Sequence, residues 1–197
     1  MIERLLIATT NKGKLEEISA LLKTLHCELV TPEDLHLEIE VEENGKTYLE
    51  NARLKAATYC QASQLPALAD DTGLEVAALG GQPGLYSARF TGSHNASDHE
   101  RRQFLLSKLK NHPHPWEARF VCAVALAMPS GRFYSYEDAC SGEIIPEERG
   151  SQGFGYDPIF LFPQMGRTMA ELSLNEKNRI SHRAKAVLGI LPVFRNL

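Results

Sequence analysis

Short apolar runs and helical stripes alternate along the chain and predict an α/β protein. The run Leu5–Ala8 has the pattern of a buried strand, and the polar segment Thr9–Lys14 that follows has the composition of a loop. Apolar residues then recur with the spacing of one helix face, at Leu15, Ile18, Leu21, Leu22 and Leu25. The chain therefore begins with a strand, a polar loop and a helix, which is the start of an α/β pattern.

Three Ser/Thr-x-x-Glu pairs predict where the later helices begin. In such a pair, each side chain can satisfy a free backbone N–H group of the first helical turn. The pairs are Thr47 with Glu50, Ser97 with Glu100, and Ser173 with Glu176. The last pair precedes one long final helix, whose predicted apolar face consists of Ile180, Ala184, Val187, Leu188 and Leu191.

The middle of the chain predicts a β-hairpin. Residues 118–128 and 132–140 read as two strands, because the turn sequence Pro129-Ser130-Gly131 separates them. Glycine and proline predict loops at Gly80–Gly84 and Gly150–Pro158. The order of elements predicts an α/β fold with a mixed central β-sheet and flanking helices, in one domain over residues 1–197.

Composition narrows the class of protein. Hydrophobic residues make up 43% and charged residues 23% of the 197 residues, which is ordinary for a soluble globular domain. The net charge of −4 excludes the broad basic surface of a duplex nucleic-acid binder, although a few converging cations could still bind a small anion. No apolar run approaches the ~20 residues of a membrane span, and no secretory signal is evident. The expectation is a cytoplasmic protein without nucleic-acid or membrane partners.

The four cysteines predict neither a zinc site nor a disulfide framework. They are dispersed, with no CxxC pair, at Cys27, Cys60, Cys122 and Cys140. Reduced thiols in a cytosolic environment are therefore expected.

The segment Thr9–Lys14 is the first candidate site. Where a loop leaves a strand and opens a helix, free N–H groups and the positive end of the helix dipole attract anions. Hydroxyls, an amide and two lysines add donors and charge; the members are Thr9, Thr10, Asn11, Lys12, Gly13 and Lys14. The segment suits a polyphosphate but lacks the Walker pattern. An ordinary polar loop is the alternative.

Two acidic segments are candidates for metal binding or proton transfer. Asp70 and Asp71 follow an apolar run, and a hard cation such as Mg²⁺ would offset their mutual repulsion. One of them could instead act as a general base; a turn at Asp71-Thr72-Gly73 is the structural alternative. In Glu38–Glu43, alternation predicts a strand with Glu38, Glu40 and Glu42 on one face and Glu43 at its end. Either this is a solvated sheet edge, or a terminal glutamate joins the aspartates at a metal.

The glycine-rich loop Gly153–Pro158 is a candidate for binding a base. Glycines permit close approach of a ligand, and Phe154 or Tyr156 could stack on a base. Asp157 could accept hydrogen bonds from ring or sugar donors. The alternative is a loop that packs against its own core.

Basic residues on the predicted final helix complete the candidate chemistry. Helix geometry of about 100° per residue places His182 opposite the apolar stripe, so it is expected outside the core. Lys177 and Arg183 could bind phosphate or base carbonyl oxygens. The alternative is a solvated basic helix face.

Seven motifs in a fixed order resemble the inosine/xanthosine triphosphate pyrophosphatase family. They are Thr9–Lys14, Glu50–Ala52, Ala69–Leu74, Gly80–Gly84, Tyr86–Phe90, Gly153–Pro158 and Ser181–Arg183. The resemblance extends over nearly the whole chain, and Thr72 stands where a serine is common. It implies two lobes around a nucleotide cleft, a homodimer, and Mg²⁺-dependent hydrolysis of dITP, ITP and XTP to the monophosphate and pyrophosphate. Such enzymes remove deaminated purine nucleotides.

The resemblance also implies roles for individual residues. Asp71 corresponds to the proton acceptor, and Thr9–Lys14 to the triphosphate loop. The implied metal ligands are Glu42 or Glu43, with Asp70 and Asp71. The implied nucleotide contacts are Thr72, Phe154, Gly155, Tyr156, Asp157, Lys177, His182 and Arg183. Two alternatives stay open: a related pyrophosphatase with a different base preference, and a nucleotide-binding module without catalysis.

Overall fold

The computed structural model describes residues 2–93 and 95–194. The helices in this part of the chain are α1 (Lys12–Leu22), α2 (Tyr48–Ser63), α3 (Asp98–Leu109), α4 (Leu174–Ile180) and α5 (His182–Phe194). The strands are β1 (Arg4–Ile7), β2 (Glu28–Val30), β3 (Ala67–Val76), β4 (Pro83–Gly84), β5 (Trp116–Ala127), β6 (Phe133–Ile144), β7 (Phe160–Phe162) and β8 (Arg167–Thr168). None of these helices has the length and apolar composition needed to cross a membrane.

The strands form one mixed sheet, which confirms the predicted fold class. Their order is β2-β1-β3-β5-β6-β7-β8, with β4 paired to β3. Strand β1 pairs in parallel with β2 and with β3, so that Leu6 lies opposite both Val30 and Ala67. Strands β6, β7 and β8 pair antiparallel. The sequence pattern missed β2, β4, β7 and β8, because runs of two or three residues carry no measurable period. Strand β4 lies within the predicted loop Gly80–Gly84, which is therefore wrong at Pro83–Gly84.

The chain divides into two compact units. Unit 1 comprises the described parts of residues 1–71, 122–138 and 182–197, and unit 2 comprises residues 72–93, 95–121 and 139–181. Each unit has its own hydrophobic core. Core residues of unit 1 include Leu5, Ile7, Ile18, Leu22, Leu68, Val124, Ala184 and Val187. Core residues of unit 2 include Leu74, Val76, Leu105, Leu109, Trp116, Phe120, Ile159 and Phe160.

The three predicted capping pairs lie at the starts of α2, α3 and α4. The pairs at α3 and α4 are complete capping boxes. At α2, the Thr47 hydroxyl accepts the Glu50 N–H at 3.1 Å, whereas the Glu50 carboxylate accepts the N–H of Lys46. Local side-chain chemistry therefore determined these helix starts, as expected for caps.

The cap of α4 makes a pH-dependent contribution to stability. Hydrogen bonds from Arg167 and from Ser173 lower the pKa of Glu176 to about 2. Because this pKa lies below the unfolded value of about 4.3, ionised Glu176 stabilises the folded state above that pH. The contribution is lost as the pH falls towards 2.

We expect Glu176→Gln to lower the free energy of unfolding near neutral pH, and the difference from wild type to shrink between pH 5 and pH 2. Urea unfolding at a series of pH values measures that difference. A difference that stays constant over this range would contradict the assigned role of the ionised carboxylate.

Strand β3 passes through the acidic pair without a break. The alternative of a turn at Asp71-Thr72-Gly73 is therefore wrong, since these residues lie within Ala67–Val76. The prediction that the whole of Thr9–Lys14 is a loop is also wrong, because α1 already begins at Lys12. At β3, contacts of the aspartates with α1 and α2 outweigh the local turn propensity. At α1, the side chain of Asn11 caps the helix and sets its start at Lys12.

The predicted strand over Glu38–Glu43 does not form. The alternation of exposure is nevertheless present: Glu38, Glu40 and Glu42 are exposed, whereas Ile39 and Val41 are half-buried. Within the described chain no strand pairs with this segment. The pattern thus indicated which side chains face the protein, but it did not indicate a sheet.

The predicted final helix is two helices. Ser181 has extended backbone angles, φ −69° and ψ 156°, and separates α4 from α5. This break changes the phase of the helical pattern, so His182 is buried and Arg183 is only 1% exposed. Two predictions are therefore wrong: His182 does not lie outside the core, and Arg183 and Lys177 do not form a solvated face. Leu188, predicted on the apolar face, is exposed.

Candidate active site

The polar segment after β1 forms the N-terminus of α1. Asn11 is the N-cap, and its Oδ1 accepts the Lys14 N–H at 3.0 Å, while the Thr9 hydroxyl accepts the Asn11 N–H at 3.2 Å. Thr10 and Lys12 are exposed. The first turn contains no acidic side chain. The positive end of the helix dipole and the first-turn N–H groups are therefore suited to binding an anion, without a competing carboxylate in that turn.

Asp70 lies buried in β3 and binds two cations. Its Oδ2 is 3.1 Å from Lys14 Nζ and accepts a hydrogen bond from Arg183 Nε, also at 3.1 Å. Arg183 also pairs with the buried Glu17. Burial alone would raise the Asp70 pKa, but the charges of Lys14, Arg183 and Lys55 outweigh it and hold that pKa well below its usual range. Asp70 is therefore a permanently charged anchor for both cations.

Asp71, the next residue, has a different environment. Its Oδ2 accepts a hydrogen bond from Asn51 Nδ2 at 2.9 Å, and Lys55 Nζ lies 3.8 Å from its Oδ1. Burial raises the pKa of Asp71, and the nearby charge of Glu43 raises it further, against the lowering effect of the lysines and Asn51. The two adjacent carboxyls thus have pKa values shifted in opposite directions, as in sites where one acid transfers a proton and the other stays charged.

Lys55 on α2 is a side chain that the sequence analysis did not single out. Its Nζ lies 2.7 Å from Glu43 Oε1 as well as near Asp71. Burial lowers the pKa of Lys55, but the charges of the surrounding carboxylates outweigh burial and the net shift is upward. The sequence spacing could have identified Lys55, because it follows Asn51 by four residues and both therefore lie on one face of α2.

Glu43 and Asp71 fit a hard divalent cation. The charged Lys55 ammonium already contacts Glu43 and lies near Asp71, so the two carboxylates share one cation. In residues 2–93 and 95–194, there is no group of three or more His, Cys, Asp or Glu residues that could hold a metal ion by itself. Mg²⁺ is usually held by one or two carboxylates with phosphate oxygens and water. Glu42 is exposed, whereas Glu43 contacts Lys55 beside Asp71, so the geometry favours Glu43 as the metal ligand.

Asn51 links the acidic segment to Asp71. Its Nδ2 donates to Asp71, and its Oδ1 accepts the N–H of Gly45 at 2.8 Å. Gly45 has to be glycine, because a Cβ there would lie 2.6 Å from Asn51 Oδ1 and 3.0 Å from the Asn51 backbone nitrogen. The buried amide therefore positions both Asp71 and the segment that carries Glu43.

We expect Asn51→Leu to lower the free energy of unfolding by about 1–3 kcal/mol, since a polar partner is lost at a buried position. Urea unfolding measures this loss. Gln61→Ala, on the exposed side of the same helix, is the matched control and should change stability by no more than about 0.5 kcal/mol. Equal losses in the two variants would contradict the linking role of Asn51.

Unit 2 holds the glycine-rich loop through a buried ion pair. We call residues 153–157 the base loop. Asp157 Oδ2 accepts the N–H of Phe154 at 2.9 Å and pairs with the buried Lys177 ammonium. Gly153 has φ +72°, and a Cβ there would lie 2.1 Å from Asp157 Oδ2. Lys177 Nζ also lies 5.0 Å from the centre of the Phe154 ring, so one ammonium contacts two residues of the loop.

The two aromatic residues of the base loop differ in exposure. Tyr156 is buried in the core of unit 2, where its hydroxyl donates to Ser87 O at 2.9 Å and burial raises its pKa. Phe154 is half-buried. Of the two stacking candidates, the geometry therefore favours Phe154. Thr72, also half-buried, follows the acidic pair on β3.

Nine of the predicted site residues fall into two sets. Unit 1 brings together Lys14, Glu43, Asp70, Asp71 and Arg183, with Glu17, Asn51 and Lys55 as partners. We call this set the acidic-pair cluster. Unit 2 brings together Phe154, Asp157 and Lys177, and Gly155 follows Phe154 in the same loop.

Comparison with known families gives one match over almost the entire chain. The model of the Ham1 family matches residues 5–193. A curated dITP/XTP pyrophosphatase of Geobacter sulfurreducens is 49% identical over 185 residues, covering 93% of this chain and 92% of the relative. A dITP/XTP pyrophosphatase of Thermus thermophilus is 46% identical, covering 98% and 92%.

Solved structures give the same match at the level of the fold. The structure of a HAM1 protein from Coxiella burnetii has a TM-score of 0.88 and 38% identity, with 100% of both chains covered. The Staphylococcus aureus Ham1 protein has a TM-score of 0.84 and 38% identity, with 98% of both chains covered.

Proposed function

Because the chain belongs to the Ham1 family, we propose that it is a nucleoside triphosphate pyrophosphatase that hydrolyses dITP, ITP and XTP. The relatives named dITP/XTP pyrophosphatase support this substrate class. The observation that carries the proposal is the acidic-pair cluster, where adjacent carboxyls have opposite pKa shifts beside lysines. Binding alone would not require two buried carboxylates near a triphosphate, since they repel it unless cations intervene.

In the proposed reaction, water attacks the α-phosphorus of the triphosphate. The new bond joins the water oxygen to this phosphorus, and the bond to the oxygen that bridges the α- and β-phosphates breaks. The products are the nucleoside monophosphate and pyrophosphate. Asp71 orients the water and accepts its proton, for which the raised pKa is suited. Lys14 and the N-terminus of α1 bind the departing pyrophosphate.

Asp70 acts in this scheme through the cations that it holds. Its buried carboxylate fixes the Lys14 ammonium at 3.1 Å, so the lysine needs little reorganisation when a phosphate arrives. A bound Mg²⁺ would neutralise charge that develops on the phosphates. Glu43 and Asp71 are the residues proposed to hold it, and Lys55 contributes further positive charge beside them.

The base loop is proposed to bind the purine, with Phe154 stacking on the ring. The sequence-based roles of His182 and Arg183, donation to the six-position oxygen of hypoxanthine or xanthine, stay predictions. For Arg183, the guanidinium that would donate is already bound to Glu17 and Asp70. Adenine carries an amino group at that position and would leave such donors facing another donor. A buried donor without a partner costs about 1–3 kcal/mol.

The whole chain is proposed to work as one functional domain. The family match extends from residue 5 to residue 193 and so includes residues of both compact units, which supports this proposal. A homodimer and a cytoplasmic location are also proposed. The homodimer rests on the family resemblance, and the location rests on the dispersed cysteines.

A panel of triphosphates tests the substrate class. Purified protein with Mg²⁺ should hydrolyse ITP, dITP and XTP with kcat/KM roughly 5- to 150-fold above that for ATP, if one unpaired donor sets the difference. Highest activity on a modified pyrimidine or methylated nucleotide would instead identify a related pyrophosphatase. Binding of ITP without turnover, measured by calorimetry beside the product assay, would identify a non-catalytic module.

A further inference from the structure

Helix α3 holds the base loop from outside the loop's own sequence. Asp98 Oδ2 accepts the N–H of Gly155 at 2.7 Å, and Arg102 Nη1 donates to the carbonyl oxygen of the same glycine at 2.7 Å. Asp98 and Arg102 are four residues apart and therefore share one face of α3. We call Asp98, Arg102 and the two peptide groups of Gly155 the Gly155 clamp.

We propose that Asp98 and Arg102 are positioning residues for purine recognition, acting through the Gly155 clamp on the base loop. This inference rests on the proposed function, because it assumes that the base loop binds the purine. Gly155 lies between Phe154 and Tyr156, so its two peptide groups join the stacking candidate to the ring anchored in the core. Fixing both peptide groups fixes the backbone from which the Phe154 side chain projects.

Both residues of the clamp are themselves held in place. Arg102 Nη2 donates to Glu148 Oε2 at 2.7 Å, so its planar fork spans Glu148 and Gly155. Asp98 also pairs with Arg101. Burial raises the pKa of Asp98, but the Gly155 N–H and Arg101 outweigh burial and lower it overall. Charge-assisted hydrogen bonds from fixed groups are stronger and more directional than neutral ones.

The base loop needs contacts from outside because its two glycines are costly to order. Gly155 adopts φ +60° and Gly153 adopts φ +72°, and glycine has the largest conformational freedom to lose on ordering. Two such glycines flank Phe154. Phe154 is held by Asp157 from within the loop and by Lys177 from α4. The clamp adds support from α3 at the neighbouring Gly155.

The test compares Arg102→Ala and Asp98→Ala with Lys108→Ala, an exposed position on α3. The clamp variants should raise KM for ITP about 10-fold and leave kcat within about twofold, as expected when binding is weakened equally in the ground and transition states. Arg102→Lys should give an intermediate KM, because one ammonium cannot replace the fork that reaches both Glu148 and Gly155.

Inorganic tripolyphosphate distinguishes weaker binding of the base from general damage to the binding site. It has phosphates but no base, so its inhibition constant should be unchanged in the clamp variants and in Lys108→Ala. Calorimetric dissociation constants for ITP and tripolyphosphate in metal-free buffer provide the same comparison without turnover. Thermal melting of each variant shows whether the fold is retained.

The outcomes distinguish this inference from the proposed function. A wild-type protein that binds ITP without hydrolysing it would overturn the proposed function alone, and the calorimetric comparison would still decide on the clamp. Unchanged ITP affinity in both alanine variants would overturn the clamp. An equal loss of affinity for ITP and tripolyphosphate would overturn it as well. A wild-type protein that does not bind ITP would overturn both.

Discussion

Asp71→Asn is expected to lower kcat for ITP by about 10²- to 10⁴-fold, the range for loss of a general base. Asparagine has nearly the same shape, and its side-chain oxygen can still accept the hydrogen bond that Asn51 Nδ2 donates to Asp71. The variant therefore loses the proposed proton acceptor and one proposed metal ligand with little change in packing. Steady-state kinetics on ITP, beside urea unfolding, measures both properties.

Asp70→Asn is the informative partner variant. Asp70 is flanked by the Lys14 ammonium and the Arg183 guanidinium, so its replacement leaves two buried or partly buried cations without their shared carboxylate. We therefore expect Asp70→Asn to lower stability more than Asp71→Asn does.

Near-normal turnover of Asp71→Asn would exclude Asp71 as the proton acceptor.

Arg183→Leu is expected to cause a large loss of stability, about 3–5 kcal/mol, because it leaves buried charges uncompensated. The guanidinium is 1% exposed and pairs with Glu17 and Asp70, which are themselves buried. Burial lowers the pKa of Arg183, but the two carboxylates outweigh burial and raise it. Arg183 is thus charged throughout the accessible pH range.

The matched control for Arg183 is Arg179→Leu. Arg179 lies four residues earlier and is exposed, so its replacement should change stability by no more than about 0.5 kcal/mol. Unfolding free energies from urea titration compare the two variants. A similar small loss in both would show that the Glu17–Arg183–Asp70 network contributes little to stability.

Local signals in the sequence predicted the features that depend on local interactions. The starts of α2, α3 and α4 followed from Ser/Thr-x-x-Glu pairs, because each cap is made by residues three positions apart. The strand–helix opening and the mixed sheet followed from hydrophobic spacing. The motifs of the family resemblance also marked the carboxylates and the base loop before any contact was known.

Long-range electrostatics determined what the sequence pattern could not predict. Asp70 and Arg183 are separated by 113 positions, so no spacing rule relates them, and an arginine on a helix is by default assigned to solvent. The same holds for the continuity of β3 through two aspartates, which depends on lysines and Asn51 from α1 and α2. The break at Ser181 shifted the helical phase and so reversed the predicted orientation of His182.

Hydrolysis of ITP in water enriched in ¹⁸O shows where the water oxygen enters the products. With Mg²⁺ present, mass spectrometry of the products identifies both the bond that is cleaved and the phosphorus that water attacks. Attack at the α-phosphorus predicts inosine monophosphate carrying one ¹⁸O and pyrophosphate carrying none. Label in the pyrophosphate, or release of orthophosphate and inosine diphosphate, would contradict the proposed reaction.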